Sequence, residues 1–186
     1  MYEEIAIIEL ALWLGLPAWI ANSTPVVFGG GAPIDGGKRF RDGRRILGDG
    51  KTIRGFLVGV LFGTLTGIGQ VLVAPFLFPI LSEYVVVTAE MEAILFMSLP
   101  TAVLLSIGAL LGDMGGSFLK RRVGLQSGGP APVLDQLGFI IAALALASPV
   151  IQPSAIYVIV LISVTLLTHW ISNVAGYLLG FKDNPW

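Results

Sequence analysis

The chain has 186 residues, of which 55% are hydrophobic and only 12% are charged, and its mean hydropathy is +0.85. A soluble domain usually carries about 25% charged residues, so this chain has too few polar side chains to cover a surface in water. The net charge of −1 gives no sign of a nucleic-acid partner, and the absence of cysteine excludes disulfide frameworks, thiolate zinc sites and cysteine nucleophiles.

Uncharged stretches along the chain indicate membrane-spanning helices, because one span needs about 20 predominantly apolar residues. They cover residues 10–28, 55–82, 93–112 and 136–181. As a single helix the last would measure about 69 Å, over twice the hydrocarbon core of about 30 Å. It must therefore fold back, and Pro149 and Pro153 bracket the turn.

The sequence thus predicts an all-α polytopic membrane protein, with a single transmembrane domain over residues 1–186. About five spans are expected, at 5–27, 54–80, 92–118, 133–150 and 154–180. The first segment opens with Glu3, Glu4 and Glu9 and lacks the basic start of a cleaved signal peptide, so we expect it to be retained as a helix.

All eleven basic residues fall in three segments between or after these spans. Seven precede the second span, three follow the third, and one follows the fifth: Lys38, Arg39, Arg41, Arg44, Arg45, Lys51 and Arg54; Lys120, Arg121 and Arg122; Lys182. Five spans place the three segments on one side, whereas four or six would divide them. The positive-inside bias predicts that this side is cytoplasmic, with the N-terminus outside and the C-terminus inside.

Residues 29–54 form a long glycine-rich basic loop, with eight glycines, seven basic residues and three aspartates. Asp-Gly recurs at Asp35, Asp42 and Asp49, which favours successive turns. Such turns form anion-binding nests, and arginine and lysine add donors, so the loop suggests polyphosphate binding. The alternative is a loop that only sets topology or touches anionic lipid. A P-loop is excluded, because its required glycine is Arg45 here.

A second polar motif lies at residues 112–122, where Asp113, Ser117 and Lys120 share one helical face. Asp113 follows twenty uncharged residues, and Asp135 lies near the start of the fourth span. Two carboxylates that converge from neighbouring helices would suit Mg²⁺ held between protein and nucleotide phosphates. The alternative is that Asp113 pairs with an arginine of the loop and Asp135 merely lies near a helix cap.

Residues 112–122 and 135–137 resemble the signature of the CTP:phosphatidate cytidylyltransferase family. That signature has Gly-Asp, then Ser-x-x-Lys-Arg, a glycine pair and an aspartate that opens the next helix. Residues 22–25 and 42–55 resemble the small archaeal branch of the family, the CDP-archaeol synthases, and the resemblance covers essentially the whole chain. One departure is Gly138, where the archaeal branch often has an aspartate.

The resemblance implies Mg²⁺-dependent transfer of a cytidylyl group from CTP to 2,3-bis-O-(geranylgeranyl)-sn-glycerol 1-phosphate, an isoprenoid glycerol phosphate lipid. It makes Asp113 and Asp135 the metal ligands, and these two with Lys120 the catalytic residues. The residues expected to contact CTP or its phosphates are Asn22, Lys38, Arg44, Arg45, Asp49, Lys51, Thr52, Arg54, Ser117 and Arg121.

Two non-enzyme alternatives remain: a small cation transporter with Asp113 and Asp135 as ion ligands, and a structural membrane subunit with a lipid-binding loop. A transporter would place polar groups near the bilayer midplane, whereas here they crowd one face. A CDP-alcohol phosphotransferase is excluded, because its D-G-x-x-A-R pattern occurs at none of the Asp-Gly pairs.

Two further patterns lie inside the spans. The glycines at residues 59, 63 and 67 are four apart, which predicts a helix-packing stripe. His169 and Asn173 share a face of the last span, either as a hydrogen bond between helices or as part of a site.

Overall fold

The structure, a computed structural model, describes residues 2–126, 129, 131 and 133–180. These residues form six α-helices and no β-strand. The helices are α1 Tyr2–Phe28, α2 Ile53–Tyr84, α3 Ala89–Leu95, α4 Leu99–Arg122, α5 Leu134–Ala147 and α6 Ala155–Leu178. The positions predicted for Lys182 and the C-terminus lie outside the described residues.

Four of the helices are long and apolar enough to cross a membrane: α1, α2, α4 and residues Ala155–Ala175 of α6. The fourth predicted span, 133–150, is shorter than expected, because α5 has only 14 residues. At about 21 Å it does not reach across a core of about 30 Å. The helix ends two residues before Pro149, which has no N–H to donate to a helical carbonyl.

The third predicted span, 92–118, is divided in the structure, because the chain breaks between α3 and α4, and α4 forms most of the span. The hydroxyl of Ser98 accepts a hydrogen bond from the Thr101 N–H at 3.2 Å and caps a new helix. Pro100 lies in the first turn of α4, where its missing N–H costs nothing. In α2, by contrast, Pro75 and Pro79 do not end the helix, which continues past the predicted residue 80.

The glycine stripe of α2 packs against α1 and α4, as predicted. A Cβ added at Gly59, Gly63 or Gly67 would lie 2.7, 2.2 or 2.1 Å from its nearest neighbour. The neighbours are the Ala21 carbonyl of α1 and, on α4, Ser106 and Ala102. These glycines therefore let the backbones of α1, α2 and α4 approach closely, and small residues commonly have this role where helices associate in a membrane.

The pairing of residues along these contacts fixes the helix directions. Gly108 and Gly112 of α4 lie against Ala143 and Gly138 of α5, so α4 and α5 are antiparallel. Leu161 of α6 lies against Gly15 of α1, and Trp19 Nε1 donates to Thr165 Oγ1 at 3.1 Å, so α6 runs parallel to α1.

The end of α1, the start of α2, the end of α4 and the start of α5 consequently share one end of the bundle, which we call the basic face. It carries the glycine-rich loop and the last turn of α4, and with them ten of the eleven basic residues (seven and three). The predicted gathering of basic residues on one side is therefore observed for the described part of the chain.

Candidate active site

The glycine-rich loop folds into the successive turns that its sequence predicts. Asp35 Oδ1 accepts the N–H of Gly37 at 3.0 Å, and Asp42 Oδ1 accepts the N–H of Arg44 at 3.0 Å. Both are turns in which an aspartate binds the backbone two residues ahead. The third Asp-Gly pair differs, because Asp49 instead forms an ion pair with Arg45 at 2.6 Å.

Asp35 is the centre of the folded loop. The residue is only 8% exposed. Its carboxylate accepts hydrogen bonds from the Arg45 guanidinium at 2.8 Å, the Leu47 N–H at 3.0 Å and the Gly48 N–H at 3.2 Å. Burial opposes ionisation, but these bonds outweigh it and hold the pKa of Asp35 well below its usual range. Its role could not be foreseen from the sequence, which marked it only as a turn residue.

The loop is fastened to the C-terminal end of α4. Arg44 Nη1 donates to the Arg122 carbonyl at 2.6 Å, and Arg122 Nη1 pairs with Asp42 at 2.8 Å. The Arg122 guanidinium also lies over the rings of Phe40, at 4.7 Å, and Phe118, at 4.9 Å. These contacts give the loop a defined position on the bundle. Arg122, Phe40 and Phe118 had not been singled out as functional from the sequence.

A cavity of about 230 Å³ lies where the loop meets α1, α2 and α4; we call it the Asp113 pocket. Its polar lining comprises Asn22 of α1, Lys51 and Thr52 of the loop, and Asp113 of α4. Lys51 Nζ donates to Asp113 Oδ2 at 2.5 Å. The structure thus brings together four predicted site residues that come from three separate segments of the chain.

The second predicted metal ligand has a different partner. Asp135, at the start of α5, pairs with Lys120 of α4 at 2.7 Å and accepts the Ala131 N–H at 3.0 Å. Each aspartate is therefore balanced by its own lysine. The expected alternative of a loop cation on Asp113 is realised, but by Lys51 rather than by an arginine.

Most of the remaining predicted phosphate contacts line a second cavity of about 280 Å³, the arginine pocket. Arg44, Arg45, Asp49 and Arg121 contribute to it. Arg121 is only 6% exposed, and its Nε has no hydrogen-bond partner among the described residues. A buried donor without a partner is costly and is suited to receive an anion.

Three predicted contacts lie outside both pockets. Lys38 and Arg54 are exposed, whereas Ser117 is buried within α4, one turn after Asp113. The two pockets are formed without these three residues.

The Asp113 carboxylate fits a metal that is shared with substrate rather than one caged by protein, whereas Asp135 lines neither the Asp113 pocket nor the arginine pocket. No group of three or more possible ligands among His, Asp and Glu occurs in the described part of the chain. Mg²⁺ is usually held by one or two carboxylates together with substrate phosphates and water. The Asp113 side chain is 32% exposed at its pocket, so its oxygens can reach a bound ion.

Comparison with known proteins decides the family. The sequence model of the CarS-like CDP-archaeol synthase family matches residues 4–186. The chain belongs to this family. CDP-archaeol synthases of Thermococcus gammatolerans and Thermococcus kodakarensis are each 49% identical to it over 176 residues, 95% of this chain and 95% of the relative.

A solved structure also matches, that of an intramembrane enzyme for archaeal membrane lipids biosynthesis. It has a TM-score of 0.70 and 39% sequence identity, and the match covers 88% of this chain and 92% of the other. Membership in the CDP-archaeol synthase family confirms the resemblance found in the sequence and favours an enzyme over both non-enzyme alternatives. The family suggests a divalent-metal requirement, and the fold is that of a multi-pass membrane protein.

Proposed function

We propose that this chain transfers a cytidylyl group from CTP to 2,3-bis-O-(geranylgeranyl)-sn-glycerol 1-phosphate, and releases CDP-archaeol and pyrophosphate. The activity is the one for which the CDP-archaeol synthase family is named, that of a CTP-dependent cytidylyltransferase in membrane lipid biosynthesis. The observation that carries the proposal at the residue level is the Asp113 pocket, where a carboxylate of α4 meets the Lys51 ammonium at the basic face.

The basic face suits the meeting of two unlike substrates. CTP arrives from water and the lipid phosphate arrives sideways from the bilayer, so a site at the membrane boundary is open to both. We assign this face to the cytoplasm, because loops rich in lysine and arginine are retained there. The N-terminus would then lie outside, and the active site and C-terminus inside.

The nucleophile needs no catalytic base. A phosphate monoester has a second pKa of about 6, so the lipid phosphate is already largely ionised at neutral pH. One of its oxygens forms a bond to the α-phosphorus of CTP, while the bond from that phosphorus to the bridging oxygen breaks and pyrophosphate leaves with the electron pair. This chemistry suits a chain with one histidine and no cysteine.

Catalysis then consists of positioning and charge stabilisation, as in phosphoryl transfer generally. Lys51 and Lys120 each contact an aspartate carboxylate in the structure. Each ammonium group could donate to a phosphate oxygen instead, and would so orient the substrate phosphates. Arg45 and Arg121 of the arginine pocket are proposed to hold the departing pyrophosphate. Residues 48 and 49 line the arginine pocket and residues 50–52 line the Asp113 pocket, so neighbouring loop residues would contact both ends of a bound polyphosphate.

Asp113 and Asp135 are the residues that would hold Mg²⁺. The ion would supply positive charge beside the α-phosphate, where negative charge is concentrated during transfer. One or two carboxylates suffice for such an ion when phosphates complete its shell.

The proposal is tested by incorporation of α-labelled CTP into lipid by the purified chain, with and without the lipid phosphate and Mg²⁺. Asp113→Asn is expected to lower incorporation by about 100-fold or more, because the charged ligand is lost. The matched control is Glu83→Gln, the same change at an exposed site near the far end of α2, which should retain full activity.

Two outcomes would count against the proposal. A well-folded Asp113→Asn variant with full activity would remove Asp113 from the site. Absence of CTP-dependent labelling by the unaltered chain would refute the activity itself. A diacyl glycerol phosphate assayed beside the geranylgeranyl ether tests the lipid, and we expect preference for the ether.

A further inference from the structure

A groove of about 350 Å³ lies between α1, α5 and α6, near the basic face. Trp19 and Ile20 of α1 and Phe139 of α5 form its apolar wall. Trp19 also donates a hydrogen bond to Thr165, which is fully buried and lies one turn of α6 further from the basic face than Thr168.

The rest of the lining is unusually polar for helices that pack within a membrane. Thr168, His169 and Ser172 of α6 and Ser23 of α1 all line the groove. The His169 ring also lies 5.6 Å from the Phe139 ring. Polar side chains within membrane helices are costly and usually mark a functional path, and the residues of the polyphosphate site do not account for these four.

The groove adjoins the Asp113 pocket, with which it shares two lining residues. Asn22 and Val26 line both cavities, so this part of α1 forms the boundary between them. A molecule that enters the groove from the membrane and extends past Asn22 reaches the cavity that contains Asp113 and Lys51.

We propose that this groove binds the lipid phosphate, with its glycerol ether segment beside Thr168 and Ser172 and its phosphate directed past Asn22 into the Asp113 pocket. The inference rests on the proposed function. Hydroxyl, imidazole and amide groups can donate to ether and phosphate oxygens, and Trp19 and Phe139 contact the first carbons of the chains. A cavity near the lower end of ligand-pocket volumes fits that segment and leaves the long chains in the bilayer.

The chain has no cysteine, so single introduced cysteines report on the groove directly. Ser172→Cys places a thiol in the groove, and Ile171→Cys, at a neighbouring position that is 52% exposed and outside the groove, is the matched control. The rate of maleimide alkylation is measured for the full chain in detergent. The geranylgeranyl ether glycerol phosphate, at about ten times its Kd, should slow alkylation of Ser172→Cys about tenfold.

Alkylation of Ile171→Cys should not respond, and CTP alone should leave both rates unchanged. Once Ser172→Cys has been alkylated after folding, its KM for the lipid should rise about tenfold with an unchanged KM for CTP. Thr168→Cys provides an independent second position should Ser172→Cys fold poorly.

The proposal is overturned if the lipid phosphate protects neither Ser172→Cys nor Thr168→Cys. It is also overturned if a phospholipid without a phosphate monoester protects them equally. sn-Glycerol 1-phosphate without chains should protect weakly; full protection by it would show a headgroup site rather than a lipid groove. Protection is measured without CTP or turnover, so a failure of the cytidylyl-transfer activity is recognised separately, by absent labelling from CTP.

Discussion

At the scale of single residues, Asp35 determines whether the loop is folded. Its pKa in the folded chain lies below the value of about 3.9 expected when unfolded. For a carboxyl group whose pKa is lowered by folding, the stabilisation is fully present above the unfolded pKa and is lost as the pH falls through the folded one. The loop should therefore remain folded at neutral and mildly acidic pH.

Replacing Asp35 by asparagine should loosen the loop. The amide carries no charge for Arg45, and its NH₂ group would face backbone donors. Losing hydrogen bonds to a charged group costs about 1.5–3 kcal/mol, which corresponds to about tenfold to a hundredfold lower hydrogen-exchange protection of loop peptides. Asp42→Asn is the control, because that carboxylate is 36% exposed and its ion pair is worth about 1 kcal/mol or less.

Equal loss of protection in the two variants would contradict the central role of Asp35. The comparison also shows why the residue was not foreseen. Both aspartates occupy the same Asp-Gly pattern and form the same local turn. They differ in contacts with residues ten or more positions away, which no local spacing rule indicates. The sequence suggested a cation of the loop as a partner for Asp113, but not that the partner would be Lys51, 62 positions away.

At the scale of helices, hydropathy predicted most of the fold. The turn between α5 and α6 occurs where two prolines predicted it, and three further predicted spans correspond closely to α1, α2 and α6. The break at Ser98 was missed because hydropathy continues across it. The Ser98 cap and Pro100 that cause the break are visible in the sequence, where together they are a signal for the start of a helix.

Close backbone packing along α2 can be tested with two glycines of the same helix. Gly63→Ala would place a methyl group 2.2 Å from Ser106 Oγ, and overpacking of this kind costs about 1–3 kcal/mol. At Gly69 an added Cβ has no neighbour within 4 Å. Gly69→Ala should therefore stabilise the helix by about 0.5–1 kcal/mol.

The measurement is the thermal unfolding midpoint of each variant in the same detergent. We expect Gly63→Ala below the unaltered chain and Gly69→Ala at or above it. Equal midpoints for the two alanine variants would mean that α2 does not pack closely on α1 and α4.

At the scale of the whole molecule, the site exists only because three distant segments meet. Asn22 ends up beside Lys51 and Asp113 because α1 and α4 run in the same direction and both reach the basic face. The sequence predicted the shared face from its charges. It could not predict the cavities, since these depend on how side chains of α1, the loop and α4 pack together.

The direction of the bundle in the membrane follows from the same charges and has its own test. Arg41→Cys puts a thiol in the exposed loop, and Glu83→Cys puts one near the opposite end of α2. With a membrane-impermeant maleimide on intact cells, we expect only Glu83→Cys to react, and Arg41→Cys to react after permeabilisation. The reverse pattern would contradict the assignment. It would also separate Asp113 from the cytoplasmic nucleotides, so that the pocket could not use CTP in the cell even if the purified chain could.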